Sequence, residues 1–263
     1  MTLTIQDMIE SILDGMNTPR LTETCDTVKC GDTAQPVKGA VTTFMATADV
    51  IEKAAALGAN FIITHEPTFY NHLDSTAGME ADPVVLAKKA LLEKNGMVLW
   101  RLHDHIHRQQ PLDGIFAGLY QALGWEDFID LHNHHLCNLP PTTVGEIVAH
   151  VKQALGVPMV RMIGDLSQPV SRVAFMLGAS GGESHLHAIH AGAEVVLCGE
   201  LQEWEACVYV QDANFFGRKL AIIPVGHQVS EEPGMRWLAE WLTPRFPSVP
   251  ITHIPAGDPF TVC

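Results

Sequence analysis

The chain has 263 residues, 47% of them hydrophobic and 17% charged, and its 16 Lys and Arg against 30 Asp and Glu leave a formal net charge of −14. That apolar share can fill one large core or two modest ones, and with so few charges and a mean hydropathy of +0.12 it excludes a disordered chain. The acidic balance lacks the surplus of cations that grips a phosphate backbone, so nucleic acid is not an expected partner.

Residues 1–17 read as an amphipathic helix with Asp7, Glu10 and Asp14 interspersed. They show neither the basic start nor the apolar run of a signal peptide. No window reaches the roughly 18 apolar residues of a membrane span. Six cysteines, Cys25, Cys30, Cys137, Cys198, Cys207 and Cys263, contain no CxxC pair and read as reduced thiols. The expected compartment is the cytoplasm.

Strand and helix patterns then alternate. Residues 39–46 (GAVTTFMA) read as a strand, 48–58 as a helix closed by glycine, and 60–64 (NFIIT) as a buried strand. Residues 83–96 predict a helix with proline at its start and glycine after its end, and MVLWRL follows as a strand. A His-rich stretch, 131–141, reads as a connector. Beyond it come a helix at 142–156, a strand at 172–178, a helix at 184–192 and strands at 194–198 and 219–225. This order predicts an α/β fold with a largely parallel sheet.

The two halves align in order. Phe-Met strand, helix, Gly-Ala and apolar strand recur, with Glu66 against Glu200, His103 against His227 and His107 against Glu231. The expectation is two similar α/β lobes from an internal duplication, residues 1–130 and 131–263, with a metal site at strand ends between the lobes.

Three polar clusters follow predicted strands: Thr64-His65-Glu66-Pro67, His103-Asp104-His105-Ile106-His107, and Gly226-His227-Gln228-Val229-Ser230-Glu231. Open α/β sheets collect ligands beyond the carboxyl ends of their strands. Imidazole with carboxylate suits Zn²⁺, Mn²⁺ or Fe²⁺, and paired metals roughly 3.5–4 Å apart need a bridging carboxylate plus separate ligands. His227 and Glu231, four apart, can share a helix face. Each cluster also has a structural reading. His65 can be a hydrogen-bonded strand end, HDHIH a solvated edge, and GHQVSEEPG a helix start with Ser230 as N-cap. His132, His134, His135, His185, His187 and His190 read as connector or helix-surface residues.

From about Gly39 to Phe260 the chain resembles the NIF-three-like family, dinuclear-metal hexamers labelled GTP cyclohydrolase I type 2 homologues. GANFIITHEPTFY resembles the family strand ending in His-His-Pro or His-His-Gly, and RLHDHIH its His-x-x-x-Asp element. VLCGELQEWE resembles its Thr-Gly-Glu strand, and PVGHQVSEEPGMRWLAEWL its Gly-His-x-x-x-Glu-x-x-Gly helix. The resemblance implies His65, His227 and Glu231 as metal ligands. Two positions depart from it: Glu66 stands for the second histidine and His107 for the aspartate. The set still holds three His and two Glu. Asp104 is the alternative carboxylate. His107 is preferred because His103/His107 mirrors His227/Glu231, and because an extended segment would turn Asp104 away from both histidines.

The resemblance implies a metal-dependent hydrolase holding two divalent transition-metal ions (Zn, Mn or Fe), with Glu231 bridging and His103 as the catalytic proton shuttle or a partner of the ligands. The expected substrate is a small, nucleotide-like molecule with a cyclic amidine or phosphoester. With no GxxxxGK loop to cradle phosphate, Arg101 or Arg108 would supply the cation. The alternatives are a non-catalytic metal-binding scaffold or regulatory adaptor, and an oligomer merely stapled by metal. A homohexamer is implied by resemblance alone.

Overall fold

The computed structural model describes residues 2–130 and 132–261. Met1, Leu131 and Cys263, to which the readings above extend, lie outside the described residues. The chain forms two compact units. The first joins the residues up to Ile115 with those from Gly234 onward, and the second is Phe116–Pro233. The sequence suggested a division at 130/131. The contacts instead return the C-terminal segment to the first unit, because its last strand adds to the first sheet.

In the first unit, helix α1 (Ile5–Gly15) starts from Thr4, whose hydroxyl accepts from the Asp7 N–H while the Asp7 carboxylate returns a bond to Thr4. Strand β1 (Val28–Cys30), β2 (Ala40–Thr43), helix α2 (Ala48–Ala56), β3 (Phe61–Thr64), helix α3 (Pro83–Lys94) and β4 (Val98–Arg101) follow. The Thr47 side chain caps α2, and Asp82 caps α3 just before Pro83, whose missing N–H costs nothing at that position. Strands β2, β3 and β4 are buried on both faces, which is why they read as unbroken apolar runs rather than alternating ones. They lie parallel with Thr43, Thr64 and Arg101 in register. Sheet order is β1-β4-β3-β2-β9, with β1 antiparallel and β9 (Ile251–His253) parallel to β2. Val41, Ile51, Ile62 and Leu99 form the centre of the core, each such side chain contributing about 1.5–3 kcal/mol of burial.

The second unit repeats the plan. A 3₁₀ turn (Glu126–Phe128) leads to β5 (Leu136–Thr143), helix α6 (Val144–Leu155), β6 (Pro169–Met176), helix α7 (Gly182–His190) and β7 (Val195–Cys198). A π-helical turn (Glu203–Cys207), helix α8 (Val208–Phe215) and β8 (Ala221–Pro224) complete it. The order is β5-β6-β7-β8, with only β5 antiparallel. Each unit therefore builds three parallel strands in chain order with helices between them, as the internal alignment predicts. The chain passes between units within helix α5 (Gly114–Leu123) and again within helix α9 (His227–Leu242).

Three local expectations change. The His-rich connector contributes the edge strand β5, which tolerates Pro140 and Pro141 because its register shifts between Asn138 and Thr142. His103 to His107 is not extended but enters a single helical turn, α4 (Asp104–His107). Ser230 is no N-cap: α9 begins at His227, and Ser230 lies inside it. Among the described residues no helix is long and apolar enough to cross a membrane.

Candidate metal centre

In the first unit the ends of β3 and β4 bring three imidazoles together. His65 is the first residue past β3 and is fully buried; its N–H continues the ladder to the Thr43 carbonyl. The rings of His65 and His103 stack with centroids 4.6 Å apart, and His107 meets both edge-on with its centroid 5.0 Å from each. One ligand atom from each of the three lies within 4.8 Å of the others. The helical turn explains the last contact, since residues four apart share a face.

Each Nδ1 is tied to an oxygen acceptor: His65 to the Leu102 carbonyl at 3.2 Å, His103 to Asp104 at 3.0 Å and His107 to Asp113 at 2.8 Å. A carbonyl or carboxylate only accepts, so each Nδ1 donates its proton, which in His65 and His107 leaves Nε2 for a ligand role. Such oriented imidazoles, two of them backed by a carboxylate, are the usual support of metal-binding histidine.

Glu66 completes the group. Its N–H donates to the Phe44 carbonyl, one carboxylate oxygen lies 3.4 Å from His103 Nε2, and the other accepts from Arg101 at 3.4 Å. Arg101 is wholly buried and also donates to the carbonyls of His65 and His72. It is therefore not a free cation for a nucleotide, as the sequence suggested; it anchors the His65–Glu66 turn. Burial works against charging His103. Hydrogen bonds with Cys25, Glu66 and Asp104, together with the Glu66 charge, outweigh that and push its pKa up to about 10. Burial likewise opposes the Asp104 charge, but bonds from Thr24, His103 and Cys25 hold its carboxyl well below the usual range.

The segment is not extended as the sequence reading assumed, and the Asp104 carboxylate is turned toward the Thr24 hydroxyl, the Cys25 N–H and His103 Nδ1. The whole turn hangs on Asp26. One Asp26 oxygen accepts from the N–H groups of His103 (2.6 Å) and Asp104 (2.9 Å), the other from the N–H (2.8 Å) and Nδ1 (2.7 Å) of His105.

The second unit carries its own donors. His227 opens α9, placing Nδ1 2.9 Å from Glu200 and Nε2 3.0 Å from Glu231. A neutral ring has only one N–H for two carboxylates, so the arrangement calls for a cation: either an imidazolium or a metal at the Nε2–Glu231 contact. Gly178, just past β6, makes room for it. Its φ is +59°, a Cβ there would overlap the Glu231 carboxylate, and its N–H donates to the Ser230 hydroxyl at 3.0 Å. The Ser230 hydroxyl in turn donates to the His227 carbonyl.

The structure therefore gathers His65, Glu66, His103 and His107 in the first unit and His227 with Glu231 in the second. Sequence reading missed Asp26 and Asp113, whose acceptor roles depend on loops with no motif. It gave Glu200 only an alignment position. His185 was expected on the surface but is fully buried in α7; burial, only partly offset by Glu205, holds its pKa down.

Comparison with known proteins agrees with this architecture. A Clostridium perfringens protein named GTP cyclohydrolase 1 type 2 homolog is 26% identical over 226 residues, 81% of this chain and 82% of its own. An Allochromatium vinosum protein of the same name is 26% identical over 251 residues, 92% of each chain. Among solved structures, a hypothetical protein of Staphylococcus aureus superposes with TM-score 0.80 at 19% identity, and a Bacillus cereus protein related to NIF3 with TM-score 0.79 at 19% identity, each covering 100% of both chains. The profile of Duf34/NIF3 (NGG1p interacting factor 3) matches residues 3–259, and with the whole fold shared, this chain belongs to the Duf34/NIF3 family.

Proposed function

We propose that the protein is a metal-dependent hydrolase that holds two divalent ions of the class of Zn²⁺, Mn²⁺ or Fe²⁺. The observation that carries this reading is the convergence of His65, His103 and His107, each with Nδ1 spent on an oxygen acceptor. The donors fit such ions, since imidazole and carboxylate prefer them to Ca²⁺ or Mg²⁺. His65, Glu66 and His107 would hold metal in the first unit, His227 and Glu231 in the second. When bound, divalent metals of this kind lower the pKa of water and polarise an electrophile.

The chain's own residues supply the proton handling. His103 lies between Asp104 and Glu66, and the hydrogen bonds and charge that keep it protonated suit it to hand a proton to a leaving nitrogen or oxygen. Arg101 fixes the Glu66 carboxylate so that it does not swing with the charge of the bound species. The relatives named GTP cyclohydrolase 1 type 2 homolog support a small nucleotide-like substrate with a cyclic amidine or phosphoester. A cytoplasmic, homohexameric assembly belongs to the same proposal; a light-scattering mass near that of one chain would refute the oligomer.

The test is metal content and turnover in parallel. Chelated protein should regain two metals per chain and hydrolytic activity together on adding Mn²⁺ or Zn²⁺. His65→Ala and His107→Ala should lose metal, whereas His103→Gln should keep metal and lose turnover. Full metal uptake without hydrolysis across a broad substrate screen would favour the scaffold reading, and loss of metal from His103→Gln would make His103 a ligand.

A further inference from the structure

A second cluster of ligand atoms adjoins His103 on its other side. Cys25, His103 and Asp104 each offer a donor atom, and the three lie within 4.8 Å of one another. Thiolate, imidazole and carboxylate on a tetrahedral ion, bonded at roughly 2.0–2.3 Å, need separations of this order. The three are also held in place. The Asp104 carboxylate accepts from the Cys25 N–H at 3.0 Å and the Thr24 hydroxyl at 2.8 Å, and Asp26 ties the next residue of that loop to the backbone of His103 and Asp104. Cys25 is a free, half-buried thiol. Loop and helical turn are stitched together by these bonds, so the donors pay little ordering cost on binding.

We propose that Cys25, Asp104 and His103 Nδ1 form a separate site for a thiophilic metal ion, of the class of Zn²⁺ and Cd²⁺. A thiolate and a carboxylate neutralise a divalent ion, and the sulfur selects soft metals over Mn²⁺ and Mg²⁺. On binding, the thiol releases its proton to solvent and Nδ1 gives up the proton it now donates to Asp104. The ring keeps the proton it already carries on Nε2, where Glu66 is the acceptor at 3.4 Å. One imidazole thus serves one side or the other. Under the hydrolase reading, on which this consequence rests, a metal held here removes the proton carrier and inhibits.

The experiment titrates the full-length apo chain with Cd²⁺ alone, following thiolate-to-metal charge-transfer absorption and the ¹⁵N shifts of His103. One thiolate per chain should ligate, with His103 metallated at Nδ1. Cys25→Ser, nearly isosteric, should lose the band and weaken that Cd²⁺ by at least about tenfold, while His107→Ala should retain it. No band in the wild type, a band surviving Cys25→Ser, metallation at Nε2, or a band that disappears with His107 would each overturn the site. Failure of the hydrolase reading is separate: it would appear as absent Mn²⁺ uptake or turnover with the Cys25 band intact.

Discussion

Replacing Asp26 with asparagine tests whether the turn that presents His103 and His107 is held from outside itself. The Asp26 carboxylate takes four hydrogen bonds from nitrogen, two per oxygen, with the Cys25 thiol a further donor at 3.8 Å, and its side chain has no exposure. Asparagine keeps one acceptor oxygen and puts an NH₂ where the other stood, so whichever way it turns, two donors lose their partner. His105 cannot relieve this by exchanging tautomers, because its Nε2 already accepts from the Leu21 N–H at 3.3 Å. Each buried orphaned donor costs about 1–3 kcal/mol, which gives about 2–6 kcal/mol for the pair, a large share of a typical total of about 5–15 kcal/mol. A variant that still folds should show a frayed α4 and a loss of metal affinity of about 10–100-fold, as when the supports of metal ligands are removed. Urea unfolding followed by far-ultraviolet circular dichroism gives the first number and calorimetric Zn²⁺ titration the second, with exposed Asp127→Asn as control. Unchanged stability and unchanged metal affinity in Asp26→Asn would refute the reasoning.

Three further outcomes follow from the geometry. Arg101→Met, which leaves Glu66 without its buried cation and Asp74 with Lys29 alone, should cost about 3–5 kcal/mol in urea unfolding; a near-neutral result would show that Arg101 is not the anchor. Gly178→Ala should displace Glu231 and abolish the metal binding proposed for the second unit, whereas Gly181→Ala, also at positive φ but with nothing within 4 Å of its Cβ, should keep it; equal metal content in the two variants would contradict the steric argument. His253 sits with its pKa lowered to about 4 by burial and by the charge of Arg236, the Thr42 bond opposing, against an unfolded value of about 6.5. The unfolded chain therefore binds more protons between those values, so this contribution to stability is present above about pH 6.5 and is lost as pH falls through 4. His253→Gln should flatten that part of the stability–pH curve, and an unchanged slope would assign the acid sensitivity elsewhere.

The apolar runs AVTT, FIIT and VLWR, the caps Thr47 and Asp82, and the recurrence of the same rhythm after residue 140 were enough to determine the α/β class and the doubled three-strand plan. These are local or periodic properties, set by side-chain alternation and by the end groups of helices. His65, His103, His107, His227 and Glu231 were legible for the same reason, since residues that follow buried strands emerge at one edge of a parallel sheet. What the sequence did not contain was the conformation of short polar segments. HDHIH has no period long enough to choose helix over strand; Asp26, 77 residues before His103, makes that choice by supplying the acceptors its N–H groups lack. The same long-range pairing turned Arg101 from an expected substrate contact into a buried anchor and sent Ile251–His253 to the edge of the first sheet. Such partnerships carry no signature along the chain because each is a meeting of groups far apart in sequence, decided only when the cores pack and the remaining buried donors must find acceptors.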